Sequence, residues 1–271
     1  MDQPSIDGVN TWFVAKAAKE AGLKVALSGL GGDEVLAGYP SFTDLPRWRR
    51  AFGPLAAVPG LGRGARSLIR TLAPRFAQEM PKALGLLEYP RNWAGAYLLR
   101  RGLFLRFVLK EVMDADLARE GLRRLKPLRR FAENLSPDPG SNVGRVCVLE
   151  SAHYMRNQLL RDADWAGMAH GVEIRVPLVD ATLLKTLAPG IPRLGPHMGK
   201  EALANAPKVS LPVEIVARKK TGFGVPIGAW MNSTAREAVF VERGRPVESK
   251  GLMSRRWSRT VLYSFARVGW A

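Results

Sequence analysis

Apolar and polar positions along this chain repeat with two different periods. From Asn10 to Ala21, Trp12, Val14, Ala15, Ala18 and Ala21 recur near helical spacing, and Gly22 fits the position just past a helix end. Leu23, Val25, Ala26 and Leu27, with Lys24 at the edge, read as a short buried strand. A glycine-rich turn follows, and a helix is expected again from about Val35. That order is half of a βαβ unit, with the turn at the carboxyl end of the strand, where open α/β sheets bind ligands. "FGPLAAVPGLGRGARS" (52–67) reads as a loop or a broken helical connection. Helical stretches run from about Arg66 to Phe131, interrupted by Pro74, Pro81, Pro90 and Pro127. "NLSPDPGSNVG" (134–144) is a linker-like loop, and a helix from Arg145 to about Arg161 carries an irregular apolar stripe of Val146, Leu149, Ala152, Met155 and Leu159. Val172, Ile174 and Val176 alternate with Glu173 and Arg175 in strand fashion up to Pro177. "LAPGIPRLGPHMGK" (187–200) is another loop, with a short helix beginning at its end. The pattern predicts an α/β chain, mostly helical, with few strands and no internal repeat.

Composition narrows this reading. A length of 271 residues makes one large domain or two small ones, and 46% hydrophobic residues suffice for a core. No run of about 18 uncharged apolar residues suggests a membrane span. The opening MDQPSIDG is polar and acidic, unlike a signal peptide. The single cysteine, Cys147, allows no internal disulfide, suits a reducing cytoplasm and sits among apolar residues as packing. His153, His170 and His197 share no metal-ligand spacing.

The net charge is +17, with basic clusters at Arg47, Arg49 and Arg50, at Arg100 and Arg101, at Arg123, Arg124, Lys126, Arg129 and Arg130, and at Arg255, Arg256 and Arg259. Such a surface attracts nucleic acid or anionic lipid, or is a solvated face. The clusters are scattered and no nucleic-acid motif accompanies them, which favours the solvated face.

The chemistry-bearing stretch is "LSGLGGDEVLAGY" (27–39). Gly29, Gly31 and Gly32 can take positive φ and leave N–H groups open to an anion, and Ser28 adds a hydroxyl donor. Asp33 and Glu34 repel phosphate directly but can hold Mg²⁺, which bridges to phosphate oxygens. The competing reading is a tight loop with an acidic helix start.

This stretch resembles the SGxGGDExxxGY signature of the synthetase domain of glutamine-hydrolysing asparagine synthetases. Residues 2–29 are similar to the family's lead-in to that motif. "MAHGVEIRVPLVD" (168–180) and "RKKTGFGVPIGAW" (218–230) resemble its two later blocks. Four blocks in order span Asp2 to Trp230.

The resemblance implies part of an adenine nucleotide alpha hydrolase-like (ATP pyrophosphatase) domain. It implies ATP and Mg²⁺ as cofactors and ATP-dependent amidation of aspartate through an acyl-adenylate, with ammonia from glutamine. On it, Asp33 holds the metal and Ser28, Gly29, Gly31 and Gly32 bind ATP. Lys220 is catalytic, with Lys219 and Arg218 as neighbours. Glu34 supports the site or only starts the next helix. Glu173 and Arg175 face the substrate or form a buried ion pair. Two departures stand out: Leu30 replaces an acid or tyrosine that some members carry, and Trp165 follows Asp164 where a basic residue is usual. The family's SGGxDS loop and glutaminase domain are expected before Met1, so residues 1–271 read as a truncated synthetase domain, with a separate N-terminal half as a possible partner. The alternatives are a related amidotransferase or β-lactam synthetase-like enzyme on another carboxylate, and a non-catalytic basic binding protein.

Overall fold

A computed structural model of the chain describes residues 5–195, 198–209, 211–218, 224–234, 241–242, 245–246 and 253–268. Helix α1, Ile6–Glu20, begins at Ser5, whose Oγ accepts the Gly8 N–H at 3.1 Å. Such a cap satisfies one of the N–H groups that a helix start leaves free. The helix stops where the sequence predicts: Gly22 takes a left-handed φ of 78°. Strand β1, Val25–Leu27, pairs in parallel with β2, Glu173–Arg175, placing Val25 opposite Glu173 and Leu27 opposite Arg175.

The strand expected at Leu23 to Leu27 is present but shorter, and it is not buried. Leu23 is 51% exposed and Leu27 78%. One sheet face packs on α11 (Leu160–Met168), where Gly167 comes so close that an added β-carbon would stand 3.2 Å from the Ile174 side chain. The other face, carrying Val25, Leu27, Glu173 and Arg175, is exposed. A parallel sheet is normally covered on both faces.

After the turn, α2 (Gly32–Val35) is a single turn, so the helix expected from about Val35 starts earlier and ends there. Ala37 takes a φ of 55°, and the Gly38 N–H folds back to the Asp33 carbonyl at 2.8 Å before α3 (Ser41–Ala57) begins. Helices α4 (Leu61–Leu72), α5 (Pro74–Glu79), α6 (Trp93–Arg101), α7 (Arg106–Leu109), α8 (Ala115–Leu125) and α9 (Pro127–Glu133) follow. Pro74 and Pro127 each open a helix, where a missing N–H costs nothing.

The predicted helix around Arg145 is one continuous rod: α10 (Asn142–Leu149), a π-helical segment Glu150–Leu159, and α11. Its i→i+5 winding is the physical reason the apolar stripe looked irregular. Val146 and Leu149 meet Leu45, Tyr97, Phe42 and Val35 in the main core. Cys147 lies in that core, and burial pushes its thiol pKa up to about 11. The chain continues through α12 (Ala181–Leu187), α13 (Met198–Ala204), α14 (Val213–Val216), α15 (Ile227–Thr234), a short hairpin of β3 (Val241–Glu242) and β4 (Arg245–Pro246), and α16 (Met253–Val268). Trp257 Nε1 donates to the Ser5 carbonyl at 3.2 Å, tying α16 to the start of α1. No helix among the described residues is long and apolar enough to cross a membrane.

Candidate active site

The glycine turn leaves β1 at Ser28, whose N–H donates to the Arg175 carbonyl at 2.8 Å. Inside the turn, the Leu30 N–H donates to Ser28 Oγ at 3.3 Å and the Gly32 N–H to the Gly29 carbonyl at 3.2 Å. Two of the turn's N–H groups are therefore engaged within it. Of the three glycines, only Gly31 takes a positive φ, 91°. A β-carbon there would meet Val179 Cγ2 at 2.7 Å, and one on Gly32 would meet Leu178 Cδ1 at 3.0 Å. These glycines let the 168–180 block close against the turn. Gly29 has open space around it.

That closure builds a cavity of about 310 Å³ lined by Gly29, Gly32, Asp33, Leu36, Leu178 and three residues of 203–211. Among the described residues, Asp33 is its one acidic side chain. Among the described residues no group of three His, Cys, Asp or Glu side chains could together hold a metal ion. A Mg²⁺ at Asp33 would therefore take this carboxylate with phosphate oxygens and water, the usual pattern for that ion. Asp33 on an open cavity wall fits this role.

Glu34 points elsewhere. It is 1% exposed, does not line the cavity, and accepts the Tyr39 hydroxyl at 2.9 Å, while its Oε2 has no hydrogen-bond partner. Burial, followed by the neighbouring acids Asp33 and Glu150, raises its pKa against the Tyr39 hydrogen bond. Tyr39 leads to a buried polar network. Arg101 lies over the Tyr39 ring at 4.8 Å and the Tyr154 ring at 3.6 Å, and pairs with Glu150. Tyr154 and Gln158 both donate to Asp7 Oδ2 at 2.8 Å. Sequence reasoning missed Glu150 and Tyr154, which carry no local signal, and counted Arg101 only in a basic cluster read as a solvated face; Tyr39 was in view as the last residue of the glycine signature.

The structure separates the other expected residues. Glu173 and Arg175 pair at 2.9 Å, but both are 60% exposed, so the ion pair is not buried. Neither lines the cavity, and neither does Ser28. They stand on the open sheet face beside Val25 and Leu27, because a residue and its partner across a parallel ladder share a face. Lys220, Lys219 and His197 lie outside the described residues, whereas Arg218 is exposed just after α14. Trp165 has a structural use: its Nε1 donates to Asp162 Oδ1 at 3.1 Å, and Ser5 Oγ donates to the other oxygen of that buried carboxylate. A β-carbon on Gly8 would meet this pair at 2.8 Å, so α1 seats tightly on α11.

The family model described as "Asparagine synthase" matches residues 1–257. The chain belongs to the asparagine synthase family. It is 26% identical over 253 residues to "Asparagine synthetase [glutamine-hydrolyzing] 1" of Bacillus subtilis, covering 88% of this chain and 36% of that protein. It is 27% identical over 247 residues to "Putative asparagine synthetase [glutamine-hydrolyzing]" of Mycobacterium tuberculosis (strain H37Rv), covering 86% and 34%. This member of the asparagine synthase family thus spans about a third of the length of the curated relatives it matches. No solved structure matches it.

Proposed function

We propose that this chain is the carboxyl-terminal part of an ATP-dependent synthetase that amidates aspartate, and that the cavity at Asp33 is its share of the nucleotide site. In this reading ATP transfers its adenylyl group to the β-carboxylate of aspartate and pyrophosphate leaves. Ammonia then attacks the acyl-adenylate carbon, and AMP leaves as asparagine forms. Mg²⁺ on Asp33 would offset charge on the departing pyrophosphate. Gly29 and Gly32, which line the cavity with Asp33, border the phosphates, Ser28 and Gly31 shape the turn that presents them, and Lys220 neutralises the second leaving group. Glu34 acts from behind: through Tyr39 it fixes the turn that carries Asp33. Glu173 and Arg175 border the acceptor from the sheet face.

The observation that carries this reading is the closure of the 168–180 block onto the glycine turn, with one carboxylate left on the wall of the cavity between them. The open sheet supports a second part. Glu173 N–H donates to the Lys24 carbonyl and Ser28 N–H to the Arg175 carbonyl, at 2.9 and 2.8 Å. In a parallel ladder the peptide groups of Val25 and Leu27 then face the opposite edge. No strand among the described residues pairs there. A preceding polypeptide would supply the next strand and the rest of the ATP site, in a reducing cytoplasm; the curated relatives are about three times as long as the stretch matched.

The test combines this chain with the amino-terminal remainder of the Bacillus subtilis relative. Aspartate, ATP, Mg²⁺ and ammonia are added, and pyrophosphate is followed. Release should require both polypeptides and vanish in Asp33→Asn with an unchanged circular dichroism spectrum. Sustained release by the chain alone would overturn the incomplete-site reading. Equal release from parent and Asp33→Asn would overturn the assignment of Asp33.

A further inference from the structure

Basic residues that are scattered in sequence meet in space at a second place, independent of the Asp33 cavity. A groove of about 600 Å³ runs between α6 and α7 on one side and α8 and α9 on the other. Leu98, Leu109, Leu122 and Leu128 give it an apolar lining. Six cations also line it: Arg106, Lys110, Arg119, Arg123, Lys126 and Arg129. Among the described residues, no acidic side chain does. Arg119, Arg123 and Arg129 already hold carboxylates of their own helices at 2.6–2.7 Å. Arg106, Lys110 and Lys126 make no ion pair among the described residues.

The adjoining cleft, which shares Tyr89, Arg106 and Lys110, differs. Its Arg66 is committed to Glu88 and its Arg70 to Glu111, and both guanidinium groups lie over the Phe107 ring. That cleft carries the acidic Glu88 in its lining, whereas the α6–α9 groove sets the shared Arg106 and Lys110, together with Lys126, beside four leucines. An occupant must be apolar on one side and acidic beside it.

We propose that this groove docks an acidic amphipathic helix of a partner polypeptide, its leucine-type side chains on Leu98, Leu109, Leu122 and Leu128 and its carboxylates on Arg106, Lys110 and Lys126. Helix-in-groove recognition uses apolar anchors at i, i+3, i+4 and i+7, and charge complementarity sets orientation and encounter rate. A second copy of this chain is a poor occupant because each carries +17. Single-stranded nucleic acid needs exposed ring faces for stacking. Tyr89, the one aromatic residue among the described residues lining the groove, is only 8% exposed. A bilayer surface does not fill a recess.

The probe is a fluorescein-labelled synthetic peptide of about 18 residues, long enough to form a helix. Leucines occupy one face and glutamates the rest. A scrambled peptide of the same composition, a single-stranded RNA and phosphatidylserine vesicles serve as comparisons, all read with the full chain. The patterned peptide should bind about tenfold or more tighter than the scrambled one, and more weakly as salt rises. Arg106→Glu combined with Lys110→Glu should weaken it by about tenfold or more. Both residues are exposed and free of ion pairs, so the fold should persist. Lys126→Gly guards against a misfolded double variant, since Lys126 sits at a φ of 43° that glycine tolerates better; it should weaken binding several-fold. Equal binding of patterned and scrambled peptides overturns the proposal. So does RNA or vesicle binding as tight as the patterned peptide, unchanged affinity in both variants, or no peptide binding at all.

Discussion

Gly38 lies against Asp33 so closely that a β-carbon there would stand 1.9 Å from the Asp33 carboxylate oxygen. The backbone between them is closed by the Gly38 N–H to the Asp33 carbonyl. Gly38→Ala should therefore push the carboxylate aside while leaving the core untouched. In the two-polypeptide assay the expected loss is about 10²-fold in pyrophosphate release, the scale of a lost electrostatic stabiliser, with little change in urea midpoint. Full activity in Gly38→Ala would mean that the position of Asp33 does not matter to turnover.

Lys220→Ala should cost more activity than Lys219→Ala. The expectation rests on the register of "RKKTGFG" against the family's late block, and the loss should be about 10²-fold or more for Lys220. Steady-state rates of the two variants in the same assay decide it, and similar rates would shift the register.

Arg101 Nε donates to both Glu150 oxygens, at 3.1 and 2.9 Å, and Glu150 is wholly buried. Removing one partner strands the other charge, which costs about 3–5 kcal/mol. Urea unfolding of Glu150→Gln should report a loss on that scale. A loss below about 1 kcal/mol would place the pair among weak surface bridges.

Glu34 offers a contrast. Burial raises its carboxyl pKa, so the charged form gains nothing from being inside. Glu34→Gln keeps an acceptor for the Tyr39 hydroxyl and should change stability little at neutral pH. Glu34→Ala orphans that hydroxyl and should cost about 1–3 kcal/mol. Equal unfolding midpoints for the two variants would show that the Tyr39 hydrogen bond contributes nothing.

His153 sits with its ring 4.5 Å from Phe131, its Nε2 buried without a partner. Burial first, then Arg156 and Arg130, lower its pKa to about 4. An unfolded histidine titrates near 6.5. Between about 4 and 6.5 the unfolded chain binds more protons at this residue, so stability falls as pH drops through that window. Urea midpoints measured across it should fall more steeply for the parent than for His153→Gln. Parallel curves would assign acid sensitivity to other groups.

The sequence alone determined the elements with strong local signals. Gly22 stops α1, Pro74 and Pro127 open helices, and residues 173–175 alternate as a strand, because dihedral limits and side-chain period act within a few residues. It also determined the family, since four motif blocks stand in order. Tertiary structure alone decided what those residues face. Whether β1 is buried depends on what covers the sheet, and Leu27 stands open because α11 packs on the other face. Gly31 and Gly32 look like an anion loop until Leu178 and Val179 arrive from some 150 residues away and claim their space. Asp33 and Glu34 are adjacent in sequence, yet one borders the cavity and the other enters the core, because successive residues on a helical turn point about 100° apart. The pairing of Arg101 with Glu150, and the gathering of distant cations around one apolar groove, are long-range packing events that no local pattern encodes.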